Sequence, residues 1–159
     1  MKLKSLITIT VFLSAFSFCM ANCSKNDART PTQNCGKRNT NPSTSKMKIT
    51  IGNSVFTATL YDNPSATAFK AMLPLTIDMT ELNGNEKYYD FPNALPANAV
   101  VGGNIKSGDL MLYGKNVLVL FYENLKSGYS YTKLGYVDNP AGLAAALGKG
   151  NPVVKFENN

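Results

Sequence analysis

Short apolar runs with a repeat of two residues, cut at close intervals by glycine and asparagine, confine this chain to an antiparallel β fold. Met47, Ile49 and Ile51 alternate with Lys48 and Thr50, the pattern of a strand with one buried face. Gly52-Asn53 supplies a two-residue hairpin turn, and Val55 to Tyr61 returns with Phe56, Ala58 and Leu60 on one face. Leu75, Ile77 and Met79 alternate in the same way. Asn83-Gly84-Asn85 turns the chain into a short strand from Lys87 to Phe91, and Gly114-Lys115-Asn116 separates the run Gly108–Tyr113 from Val117–Tyr122. That last run is continuously apolar, as expected of a central strand covered on both faces. Ser127-Gly128 reads as the turn into Tyr129–Val137, and Pro152–Glu157 as the final strand, paired with the one at Met47. Pro92 to Ser107, rich in Pro, Gly, Asn and Ala, reads as a long surface loop.

Two helices interrupt the strands. Asn63-Pro64 is a helix start, with asparagine as cap and proline at the first helical position, where a missing N–H costs nothing. The helix is expected to run to about Leu73 with Phe69, Met72 and Leu73 buried, and Pro74 stops it. Asn139-Pro140 repeats the device before an Ala-rich helix from Ala141 to Leu147, closed by Gly148. The count is about eight strands and two short helices. It predicts an all-β fold, a closed antiparallel barrel with two capping helices, over an open β-sandwich.

The chain upstream of Met47 has a different composition. Lys2 and Lys4 precede an uncharged, mostly apolar run from Ser5 to Met20. The run is short for a membrane span and fits an export signal over residues 1–22. Met20-Ala21-Asn22-Cys23 is similar to a lipobox, although Asn22 and Met20 depart from its usual residues, and it favours a lipoprotein anchored to a membrane through Cys23. Cys19-Met20-Ala21 offers ordinary cleavage instead, which would leave Cys23 and Cys35 free to pair in a soluble periplasmic or secreted protein. Residues 23–46 are dominated by Asn, Thr, Ser, Pro and Lys. They read as a tether spanning about 25–30 Å on average. All of the formal charge of +6 lies upstream of Met47, and nine lysines balance nine carboxylates after it. The basic total therefore does not point to nucleic acid.

From Met47 to Glu157 there is no His, Arg, Cys, Trp or Gln. This removes the usual zinc and copper ligands and the histidine base of a serine nucleophile, so neither metal nor cofactor is expected. Three weaker arrangements have simpler readings. Ser130 with Lys133 is a polar strand face, Glu81 with Glu86 flanks a turn, and Gly102-Gly103 lacks the helix and lysine of a phosphate loop.

Several strings carry a family resemblance. They are Asp62-Asn63-Pro64-Ser65-Ala66-Thr67-Ala68-Phe69, Leu73-Pro74, Gly84-Asn85-Glu86-Lys87-Tyr88-Tyr89, Gly108-Asp109-Leu110-Met111-Leu112-Tyr113, Leu118-Val119-Leu120-Phe121-Tyr122, Leu134-Gly135 and Asp138-Asn139-Pro140. In this order they resemble the bacterial cyclophilin-like domain family across residues 47–157. The resemblance implies an eight-stranded cyclophilin-like barrel without the signature of the prolyl isomerases. Those enzymes use an arginine, a Phe–Met–Gln cluster and a His and Trp at the rim to stabilise a twisted amide against a barrier of about 18–20 kcal/mol. Lys133 could supply charge but not the planar fork of an arginine. On that fold the expected cleft lies on one barrel face, with Glu86, Tyr88, Tyr113, Phe121, Tyr131 and Lys133 as candidate binding residues. Tyrosine suits recognition because it offers rigid area with one polar tip. The expected function is a binding module for a small molecule or an extended peptide at the cell envelope, with a weak or atypical prolyl isomerase as the alternative.

The lipoprotein reading makes a direct prediction. Cells fed labelled palmitate will label this protein, and Cys23→Ala will abolish the label. Labelling that survives the substitution refutes the anchor.

Overall fold

The computed structural model describes residues 44–159. The segment read as an export signal, Cys23, Cys35 and most of the expected tether lie outside the described residues. The chain first becomes regular in strand β1 (Ser45–Ile51), two residues before the sequence pattern suggests. Lys46 explains the early start: its Nζ reaches Thr59 of the next strand and donates to Asp138 Oδ2 at 2.8 Å. Strand β2 (Ser54–Leu60) pairs with β1 through a loop of only Gly52 and Asn53. Gly52 takes the positive φ of 55° that such a loop needs at its first position.

Helix α1 (Pro64–Ala71) starts as its sequence dictates, with Asn63 Oδ1 accepting from Ala66 N at 2.9 Å. It ends earlier than expected, at Ala71, and buries Ser65, Ala66 and Phe69, while Met72 and Leu73 are only half-buried. Strands β3 (Leu75–Asp78) and β4 (Thr80–Leu82) are separated by one buried residue, Met79. Strand β5 (Glu86–Asp90) follows the Asn83–Asn85 turn.

The segment read as a long loop contains strand β6 (Val100–Ile105). Its Gly-rich sequence is not a flexible connection. Added at Gly102, a Cβ would come within 3.1 Å of the Tyr131 ring and of Ile105 Cδ1, so glycine is what lets β6 lie against its partner. Strands β7 (Asp109–Tyr113) and β8 (Val117–Phe121) form the expected hairpin. Strand β9 (Leu125–Val137) runs straight through Ser127-Gly128. That pair does not turn the chain. It marks a register shift, between Val101–Ser130 and Gly103–Ser127, in the ladder with β6. Helix α2 is only Leu143–Leu147, because Asn139 Oδ1 accepts from Ala141 N in a local turn instead of capping a helix there. Strand β10 (Val153–Asn158) pairs with β1 in the predicted antiparallel register.

The sheet runs β3-β10-β1-β2-β9-β7-β8-β5-β4, with β6 added to β9 beside this path. Its first and last members are one stretch of chain bent at Met79, whose N–H bonds Pro152 O at 3.0 Å. Counted as a single stave, β3 and β4 close an eight-staved barrel that leaves few free edges. Leu110, Leu112, Leu118, Leu120, Phe69 and Phe156 belong to the cluster that fills it. A second, smaller cluster lies on the other face of β7 and β8, where Met111, Val119 and Phe121 pack with Ile105 and Tyr131. The β6–β9 ribbon therefore covers β7 and β8 from outside.

Lys87 is the one fully buried charge among the described residues, with 0% exposure. It lies opposite Leu120 in the ladder and so faces inward. Its Nζ donates to Glu81, to Gly148 O at 2.8 Å and to Gly150 O at 2.6 Å, and it stands 5.3 Å from the Tyr122 ring centre. Tyr122 donates in turn to Glu81 Oε1 at 2.8 Å. Burial, then Glu81, pushes the Tyr122 phenol up to about 12. Burial also pushes the Glu81 carboxyl up, but hydrogen bonds from Lys87, Tyr122 and Gly84 outweigh it and leave the group below its ordinary range. Stability from this ionised cluster is therefore present above the ordinary carboxylate pKa and lost as pH falls through the lowered one. Lys87→Met is expected to cost about 3 kcal/mol, as for removal of one partner from a buried charged pair. Urea denaturation will measure it, and the deficit should shrink in acid as Glu81 is protonated.

Candidate functional site

Period-two alternation along β5 sends Glu86, Tyr88 and Asp90 to the outer side of the barrel while Lys87 goes inward. The ladders then assemble one outward row across four staves. Asp90 lies opposite Val117, Val117 opposite Tyr113, and Tyr113 opposite Tyr131. A second row sets Tyr88 against Val119 and Val119 against Met111. Where β9 meets β7 the register skips a residue, from Leu110–Gly135 to Met111–Lys133. This bulge changes the parity of β9. Thr132 and Leu134 then face the same way as Gly135 and Val137, and Tyr131 faces out. Without it Tyr131 and Val137 would share a face.

Between these rows and the overhanging β9 lies a cleft of about 400 Å³. Three tyrosines form its wall at steep angles to one another. Tyr113 stands 6.1 Å from Tyr129 with the rings at 88°, and 5.6 Å from Tyr131 at 53°. Tyr129 is 66% exposed and Tyr113 is 44% exposed. Tyr131 is only 6% exposed, because it rests edge-on against Phe121 at 5.6 Å and 83°. Burial raises the Tyr131 phenol, Ser127 opposes this, and Glu86 with the neighbouring tyrosines adds to the rise.

Glu86 lines the same cleft and is 8% exposed. Among the described residues no side chain or backbone group hydrogen-bonds its carboxylate. Burial, and then repulsion from Glu81, lifts its pKa above the ordinary carboxylate value. Asp90 sits at the exposed rim. No lysine lines the cleft, and this part of the chain has no arginine or histidine. The site is thus acidic with no compensating cation.

Of the residues expected from the sequence, Glu86, Tyr88, Tyr113 and Tyr131 come together here. Phe121 is fully buried beneath Tyr131 and forms part of the floor's support, not of its surface. Lys133 lines a separate groove with Asn63, Pro96 and Asn98. Tyr129 and Asp90 are additions, and the alternation rule contains both. Tyr129 is two residues from Tyr131, and Asp90 is two from Tyr88.

The model of the cyclophilin-like family matches residues 49–157. Among solved structures, the solution structure of a hypothetical protein from Archaeoglobus fulgidus is similar, with a TM-score of 0.51 at 17% identity, over 78% of this chain and 99% of the other. At that identity the likeness concerns the fold. No curated protein matches the sequence.

The Glu86 environment predicts a pH signature. Its folded pKa is raised, so the folded state is favoured while Glu86 is protonated. That advantage is lost as pH rises from the unfolded to the folded pKa. Glu86→Gln is therefore expected to raise Tm at pH 7 and to give no gain in acid below the ordinary carboxylate pKa. Thermal melts across that range test this.

Proposed function

The chain belongs to the cyclophilin-like family, and we propose that its barrel is a binding module for a small molecule or an extended peptide. The observation that carries this reading is the cleft walled by Tyr113, Tyr129 and Tyr131. Tyr113 and Tyr129, exposed and backed by the largely buried Tyr131, leave apolar area in water that a bound ligand would cover. Glu86 and Tyr88 complete the recognition surface, Phe121 braces Tyr131 from below, and Lys133 belongs to the neighbouring groove. The fold itself does not name an activity, because one barrel can host unrelated sites. The chemistry available for prolyl isomerisation is poor: the cleft has no donor fork comparable to a guanidinium, and its charged groups are carboxylates.

We place the module at the cell envelope on the strength of the export signal. The lipobox-like Cys23 would anchor it to a membrane and residues 24–44 would hold the barrel away from the surface.

Two measurements test the reading. Native mass spectrometry of the full chain, purified from its own host, should show a non-covalent adduct that Tyr113→Ala removes. In a prolyl isomerisation assay the chain should leave the uncatalysed rate unchanged. Catalysis that Lys133→Ala or Tyr131→Phe abolishes would instead establish an isomerase.

A further inference from the structure

The charge and the ring geometry of the cleft narrow the class of ligand. We propose that the tyrosine-walled cleft over Glu86 is a receptor for an alkylammonium or trimethylammonium group, with Tyr113, Tyr129 and Tyr131 as the aromatic wall and Glu86 as the counter-charge. The inference rests on the binding reading above and specifies its ligand.

Three observations support it independently. First, Glu86 is 92% withdrawn from solvent, yet no protein donor among the described residues meets its carboxylate. Its carboxylate therefore opens only on the cleft, where little water reaches it, and a cation held there would supply the partner that the chain does not. Second, the near-perpendicular rings of Tyr113 and Tyr129, 6.1 Å apart at 88°, form two sides of a corner. The negative faces and polar tips of aromatic rings in such a corner attract an organic cation more than an anion. Third, the second carboxylate at the rim, Asp90, has no lysine beside it in the lining. An anionic ligand would meet two acids and no cation, whereas a cationic one would be drawn in by both.

The neighbouring residue shows that the absence of a partner is particular to this position. Lys87, adjacent on β5, is still more deeply buried and is fully engaged by Glu81, Gly148 and Gly150. Strand β4 and the segment after α2 supply partners to the charge that points into the barrel. At Glu86 no element does so among the described residues, and the carboxylate opens to the cleft.

The ammonium group could belong to a free small molecule or to a lysine side chain presented by a peptide. Isothermal titration of the full chain separates these sources. One arm uses choline and its neutral carbon isostere, in which a tert-butyl group replaces trimethylammonium. The other uses acetylated, amidated lysine and the same compound with norleucine. The cation of at least one pair should bind about tenfold or more tightly than its neutral partner, and which pair does so identifies the source. Glu86→Gln and Tyr113→Leu should each remove most of that preference, and Tyr113→Phe, which keeps the ring, should retain it. Loss of preference in Tyr113→Leu is read only where its far-UV circular dichroism and melt match the parent chain, and Tyr129→Leu, at a more exposed position, serves as the second variant. If cation and neutral isostere bind equally, the cation inference fails while the binding module stands. If neither pair binds, and a mixed set of neutral and anionic small molecules also leaves the cleft empty, both fail.

Discussion

One strand holds the two layers of this molecule together, and a single inserted residue in it decides which side chains meet which layer. Strand β9 is hydrogen-bonded to β2 and β7 along its C-terminal part and to β6 along its N-terminal part. In a regular strand, Tyr131 would point the same way as Val137, into a barrel already filled by Leu112, Leu134 and Phe156. The bulge opposite Leu110–Met111 breaks that parity. It lets Leu134 and Val137 stay inside while Tyr131 swings outward onto Phe121. An inward tyrosine would have to be fitted among these packed side chains, so the bulge removes a conflict as well as creating a surface.

The outer layer depends on that switch. The strands β7 and β8 carry apolar residues on both faces, and their outer residues Met111, Val119 and Phe121 would lie in water without the β6–β9 ribbon. The ribbon can descend onto them because Gly102 has no Cβ to collide with the Tyr131 ring. It covers only part of the face, since the row from Asp90 through Val117 to Tyr113 extends beyond it. The uncovered remainder is the cleft. The cavity is thus the residue of an incomplete covering, bounded by the rigid barrel on one side and by the overhanging strand on the other. Walls formed in this way would lower the entropy lost by the ligand proposed for it.

Much of the barrel was legible in the sequence because the determining chemistry is local. Gly52-Asn53 and Asn63-Pro64 specify a hairpin and a helix start from two residues each, and the unbroken apolar run at Val117 declares a strand covered on both faces. What was hidden depends on partners distant in sequence. Strand β6 has the composition of a loop, and only the approach of Tyr131, some thirty residues later, gives its glycines a reason. Ser127-Gly128 looks like a turn for the same cause: a glycine at a bulge and a glycine at a turn are the same letter. Within the cleft, Glu86, Tyr88, Tyr113 and Tyr131 could be grouped on one barrel face once the family fold was assumed, with their chemistry singling them out. Phe121 and Lys133 could not be placed correctly, because the fold buries one beneath its neighbour and turns the other towards a different groove. Asp90 and Tyr129 follow from alternation once Tyr88 and Tyr131 are assigned to the outer face.

The pair Glu86 and Lys87 shows two fates of a charge withdrawn from water. Both sit on a five-residue strand, both are withdrawn from water, and they point to opposite sides of it. Desolvation penalises each charge by several kcal/mol unless something replaces the lost water. For Lys87 the replacement is complete within the chain: a carboxylate, two carbonyls and an aromatic face. The loop leaving α2 is fixed by those bonds, and the barrel end is closed with it. For Glu86 the chain supplies nothing among the described residues, and Glu81 makes matters worse by repulsion. A neutral residue of similar shape would relieve the cost, so fold stability alone gives no reason for a glutamate there. An unpartnered carboxylate in a concave, tyrosine-lined position is what the proposed cation site requires, its missing partner coming from outside.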